Sequence, residues 1–166
     1  MTENTSSWIL MPGSPEDIEQ VRARCRRLVR RRAAFSASVS ALPIPGLDVM
    51  SDLGLFAVLI DDINREFGLT AEQIEGLQPD LKLLVFEAAV GVGGMLVGKF
   101  VTRELLLQLF KHTGIKLLLR QAAKLVPLAG QIASAAIGFT AFRMIGDQHV
   151  DACARVAHEF LVARPA

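Results

Sequence analysis

The sequence predicts an all-α domain, a compact bundle of about six or seven helices. Three observations carry that expectation. Apolar residues recur at helical spacing, most clearly at Val49, Leu53, Phe56, Ile60, Ile63 and Phe67, where steps of four and three alternate along one stripe. No stretch shows the period-2 alternation of β-branched residues that marks a half-buried strand. Helix start and stop residues punctuate the chain at regular intervals. A chain of 166 residues is long enough for one domain with a sizeable core. Apolar residues make up 51% but aromatics only 6%, with no Tyr and one Trp, so that core is aliphatic.

Residues 1–13 read as a flexible polar tail, and residues 14–166 as a single helical domain. The tail ends in Trp8-Ile9-Leu10-Met11-Pro12-Gly13, whose bland reading is a frayed terminus with a loosely packed Trp. Ser14-Pro15-Glu16-Asp17 starts a helix: Ser14 caps, Pro15 suits the first position, and two acids suit the positive end of the dipole. This helix extends to about residue 41, with Ile18, Val21, Cys25 and Leu28 as its buried stripe. Seven arginines, from Arg22 to Arg32, surround the stripe. The small residues that follow Arg32 permit close helix packing.

A second helix covers 47–67 and stops at Gly68, a C′ glycine. Thr70-Ala71-Glu72-Gln73 is a capping box that begins a short helix ending near Gly76. Pro79 and Asp80 open the next helix, which runs to about residue 100 and carries Gly91, Gly93, Gly94 and Gly98. Each interior glycine costs about 1 kcal/mol relative to Ala. A close crossing at Gly94-x-x-x-Gly98 offsets that cost. Helices follow over 101–112, up to the breaker Gly114, and over 115–125. The last spans 131–162, amphipathic through Val150, Cys153, Ala157 and Phe160. Asp151–Arg155 and Arg155–Glu159 are i,i+4 pairs on its wet face.

Two corners divide the chain. Leu42-Pro43-Ile44-Pro45-Gly46 is matched by Val126-Pro127-Leu128-Ala129-Gly130, and each corner glycine is followed eight residues later by another, Gly54 and Gly138. Such self-similarity predicts two equivalent helical hairpins related as a pseudo-repeat. Pro43, Pro45, Gly46, Gly54, Pro127, Gly130 and Gly138 are its structural positions.

Net charge is +1, so bulk charge selects no partner, yet charge is segregated. Residues 1–41 hold seven Arg against four acids, and residues 42–80 hold eight acids against Arg65. Residues 81–124 hold seven bases against Glu87 and Glu104. Successive blocks of opposite sign can neutralise each other within a folded hairpin. Two cysteines form no disulfide framework, and a reducing cytoplasm is the expected compartment. There is no secretory signal pattern, and no apolar run reaches the length of a membrane span.

Four candidate chemistries stand out, each with a structural explanation beside it. Gly93 to Lys99 spells G-x-x-x-x-G-K, but Phe100 replaces the hydroxyl residue that holds Mg²⁺, so no nucleotide cofactor is expected. His149 and Cys153 lie one turn apart and could share a metal with Cys25 and His112, but no zinc spacing is met, so Cys153 reads as a core residue and both His149 and His158 as surface residues. Asp48, Asp52, Asp61 and Asp62 suggest an acid/base or cation site; a helix N-terminus explains the first two, and no catalytic residue is expected. The arginine run is a solvated face balancing the acids of 42–80, a surface for anionic lipid, or a nucleic-acid patch. Nucleic acid is disfavoured because aromatic interleaving is absent. Arg24, Arg27 and Arg31, at steps of three and four, are the candidate lipid or partner surface.

Residues 26–70, with a basic helix, an Ala-rich turn, a P-x-P-G-x-D corner, a long helix and a terminal Phe67-Gly68, resemble the YcjF-like bacterial domain of unknown function. Residues 122–146 resemble its later P-x-x-G segment of small residues. The arrangement is also similar to the C-terminal helical domain of immunity-related GTPases and to EcsC-like proteins. The resemblance implies a helical module associated with membranes or with a GTPase domain, and supplies no catalytic residues. The expected function is therefore a non-enzymatic cytoplasmic module, peripheral to the inner face of a membrane or docking a GTPase-type partner. A homo-oligomerising scaffold and an unrecognised enzyme or nucleotide binder are the alternatives.

Overall fold

The computed structural model describes residues 11–40, 49–91 and 129–163. Among these residues the regular elements are all helical: α1 (Pro15–Ser40), α2 (Val49–Glu66), α3 (Ala71–Glu75), α4 (Pro79–Gly91) and α5 (Ala129–Ala163). The first corner (Pro43, Pro45, Gly46), Pro127, the 93–100 stretch, His112 and Trp8 lie outside the described residues. Gly54 sits within α2, exposed, and Gly130 and Gly138 lie inside α5.

Local chemistry sets the helix ends. The Asp17 amide donates to Ser14 Oγ at 3.1 Å, so Ser14 caps α1. Gly68 has φ 72°, the left-handed region, and closes α2 with two bonds. Its own amide reaches the Arg65 carbonyl at 3.1 Å, and the Leu69 amide reaches Asn64 at 2.7 Å, the Schellman pattern. The Thr70 hydroxyl accepts from the Gln73 amide at 3.2 Å, and Gln73 Oε1 accepts from the Thr70 amide at 3.0 Å, completing the capping box of α3.

α5 is the axis of the fold. With 35 residues it is about 52 Å long, and it packs against α1, α2 and α4. It runs antiparallel to α1: Arg22 meets Asp151, and further along α1 Val29 meets Gly146. The core collects Phe56, Leu59, Ile60, Ile63 and Phe67 from α2 with Val150, Cys153, Val156, Ala157 and Phe160 from α5. Phe56 and Phe142 meet edge to face, with centroids 4.9 Å apart. On α1 the buried stripe is Ile18, Val21, Cys25, Val29 and Ala33. Leu28, expected in that stripe, is only half-buried. The stripe steps by four after Val21 because α5 lies on that side of the helix.

Among the described glycines, Gly146 is the one pressed tightly against neighbouring helices. A Cβ there would fall 2.8 Å from Val29 Cγ1, 3.1 Å from its Cγ2 and 3.5 Å from Leu59 Cδ2. Three helices meet at that point, and Val29 and Leu59 are fully buried. The β-branched Val29 has little rotamer freedom with which to yield. At Gly54, by contrast, a Cβ would meet nothing within 4 Å. Two substitutions on helical glycines should therefore have opposite signs. Gly54→Ala should raise stability by about 0.5–1 kcal/mol through helix propensity. Gly146→Val should lower it by about 2 kcal/mol or more through overpacking. Urea unfolding of both variants checks this, and a neutral Gly146→Val would refute the tight three-helix junction.

Candidate functional site

The arginines of α1 divide into two sets. Arg22 Nε and Arg26 Nη2 both donate to Asp151 Oδ1, at 2.9 and 2.8 Å, and Arg22 also holds Glu19 at 3.1 Å. Arg32 meets Asp62 at 2.7 Å, and Arg24 meets Glu66 at 3.3 Å. Two of these pairs join α1 to the acidic block of 42–80. The two pairs with Asp151 clamp α1 to α5, which the charge blocks alone do not suggest. These bridges are partly exposed, so each is worth at most about 1 kcal/mol and serves mainly to fix helix register. The clamp overturns one local expectation. Asp151 is turned toward α1, and among the described residues no ion pair joins Arg155 to Asp151 or to Glu159.

The remaining set is Arg27, Arg30 and Arg31. All three are exposed, and none has an ion-pair partner among the described residues. At 100° per residue they fall on the side of α1 opposite the Cys25–Val29 stripe. Of the expected trio, the structure keeps Arg27 and Arg31 on this outer face and gives Arg24 an acidic neighbour. Arg30 is the residue that spacing alone did not single out.

The second polar constellation is buried. His149 Nε2 lies 2.9 Å from Asn64 Oδ1, and Cys153 Sγ lies 3.5 Å from both. Asn64 is 1% exposed and His149 5%, so His149 belongs to the core rather than to the surface. An amide oxygen accepts, so Nε2 carries the proton. Cysteine, histidine and asparagine are the residue types of one nucleophilic triad, but that triad needs the thiol and the amide at opposite nitrogens of the ring. Here both approach Nε2. Burial also pushes the Cys153 thiol well above its ordinary range and lowers His149 to about 4, so neither thiolate nor imidazolium forms near neutrality. Burial likewise raises Cys25 to about 12. Among the described residues no group of three His, Cys, Asp or Glu side chains could hold a metal. The cluster is a hydrogen-bonded pin between α2 and α5.

Of the four candidate aspartates, Asp61 and Asp62 are paired within the fold, while Asp48 and the Asp52 side chain lie outside the described residues. Asp61 pairs with Arg65 at 2.8 Å, and Asp62 is held by Arg32. A shallow groove of about 420 Å³ runs between α1 and α5, with Ile18 and Ala154 at its floor. Its rim mixes Glu19, Asp151 and Glu159 with Arg22 and Arg155, which selects no charged ligand. Comparison with protein-family models, curated proteins and solved structures finds no match to this chain.

The buried pin makes a pH prediction. His149 is neutral in both folded and unfolded chains above its ordinary value of 6.5. Between 6.5 and about 4 the unfolded chain takes up a proton that the folded chain refuses. Stability is therefore full above pH 6.5 and falls as pH drops, by about 1.4 kcal/mol per unit and about 3 kcal/mol in all. Thermal unfolding from pH 7.5 to 5 should show this decline, and His149→Gln should flatten it. Asn64→Ala, which strands the imidazole N–H, should cost about 1–3 kcal/mol at pH 7.5.

Proposed function

We propose that this chain is a non-enzymatic helical module that docks peripherally on an anionic membrane surface through the outer face of α1. The observation that carries the reading is the division of the arginines. Four of the seven are consumed by Asp151, Glu66 and Asp62, while Arg27, Arg30 and Arg31 are exposed together without acidic partners among the described residues. A basic helical face of this kind attracts anionic headgroups. No helix of the described residues is long and apolar enough to cross a membrane, so attachment through them would be peripheral. The inner leaflet, facing the cytoplasm, carries the matching charge. The fuller count of six or seven helices with two Pro-x-x-Gly corners belongs to this reading and rests on the sequence. A GTPase-type partner rests on the resemblance alone.

Replacing Arg27, Arg30 and Arg31 with Gln should weaken binding to anionic vesicles roughly 100-fold at low salt, at about 1 kcal/mol per charge. Binding to neutral vesicles should change little, and high salt should erase the difference. The melting temperature should hold, because none of the three is in a clamp. Absence of vesicle binding in the parent protein refutes the reading.

One observation favours the scaffold alternative. Leu83, Phe86 and Val90 of α4 are 60%, 45% and 83% exposed and share one face at steps of three and four. If that face pairs copies of the chain, sedimentation will show a concentration-dependent dimer, and Leu83→Ser with Val90→Ser will abolish it. A strict monomer at high concentration removes this alternative.

A further inference from the structure

We infer that Phe35 is an apolar anchor that inserts into the bilayer beside the arginine face of α1. The inference rests on the docking reading above and deepens it. Phe35 is 58% exposed, the largest exposed side chain of α1 that carries no charge. It follows Arg27 and Arg31 at i+8 and i+4, so the three lie along one outer stripe, with Phe35 about one turn beyond Arg31. With α1 lying in the interface plane, a ring on that stripe seats at the acyl boundary while the arginines beside it reach the headgroups.

The chemistry around the ring fits the same occupant. From Gln20 to Leu47 the chain contains no acidic residue, so α1 itself brings no carboxylate to this surface, and the nearest α2 acids, Glu66 and Asp62, are held by Arg24 and Arg32. The neighbouring exposed hydroxyl, Ser38, already donates to the Phe35 carbonyl at 2.7 Å, which lowers the cost of bringing it near lipid. Charge complementarity thus selects an anionic surface, and an exposed aromatic at the end of the charged stripe selects one with an apolar interior. A nucleic-acid duplex offers the first, but the arginine run lacks the interleaved aromatics of a nucleic-acid surface. The occupant is therefore an anionic phospholipid bilayer.

The test places a reporter at the ring. Trp8 is the chain's one tryptophan, so Phe35→Trp in a Trp8→Phe background reports from this position alone. Vesicles of phosphatidylcholine with about one third phosphatidylglycerol should shift its emission to the blue, and lipid brominated along the acyl chain should quench it. Phe35→Ser in the full chain should weaken vesicle binding about tenfold while leaving the melting temperature unchanged. The loss should persist at high salt, unlike that of the arginine variant. If the protein sediments with vesicles but the reporter's emission does not move and Phe35→Ser binds normally, the anchor is wrong and docking by charge stands. If the full chain does not bind vesicles, both readings fall. If a duplex oligonucleotide competes fully with vesicles and itself shifts the reporter's emission, the surface is for nucleic acid and the anchor is overturned.

Discussion

The packing of α1 against α5 at Gly146 is the constraint on which the rest of the structure depends. With Val29 seated where a Cβ would otherwise stand, the two helices approach closely, and Leu59 of α2 closes the junction. That contact sets the register between α1 and α5. The register in turn places Asp151 opposite both Arg22 and Arg26. It also orients the face of α5 that carries His149 and Cys153 inward to Asn64. A larger residue at 146 would have to separate the helices or displace a stiff buried valine, and either change would loosen both polar connections.

Once the register is set, the charges of α1 follow from geometry. The arginines beside the buried stripe meet acids on α2 and α5, because those helices lie there. The arginines opposite the stripe meet no helix among the described residues. A run that is chemically uniform in sequence therefore becomes two structural classes in the fold, one paired and one unpaired among the described residues. The clamps belong to stability and register, while Arg27, Arg30 and Arg31 are available to a partner. The buried Asn64–His149–Cys153 cluster adds specificity of a different kind, since a slip between α2 and α5 would strand polar groups in an apolar core.

Features governed by local rules were legible from sequence. Ser14, the Thr70–Gln73 capping box and Gly68 act within a few residues of themselves, and each appears as expected. The stripes through Phe56, Ile60, Ile63 and Phe67 and through Val150, Cys153, Ala157 and Phe160 were legible because helical periodicity is itself local. Features that depend on what lies opposite were not. Gly146 resembles Gly54 until Val29 is known to face it. Asp151 satisfies the i,i+4 rule with Arg155, but two arginines from another helix prevail. Leu28 and Val29 are equally apolar, and only the position of α5 decides which is buried. Asn64 left one faint signal, a polar residue four positions after the buried Ile60, but its partner His149 is 85 residues away.

One arginine run is thus divided into clamps and an exposed, unpaired face among the described residues. Dicarbonyl modification of arginine side chains, read residue by residue by mass spectrometry with and without anionic vesicles, tests that division most directly. Arg27, Arg30 and Arg31 should be modified fast, slowed by anionic but not neutral vesicles, and Arg22 and Arg26 slowly in every condition. Uniform reactivity along α1, or vesicle protection that spares Arg27, Arg30 and Arg31, would contradict it.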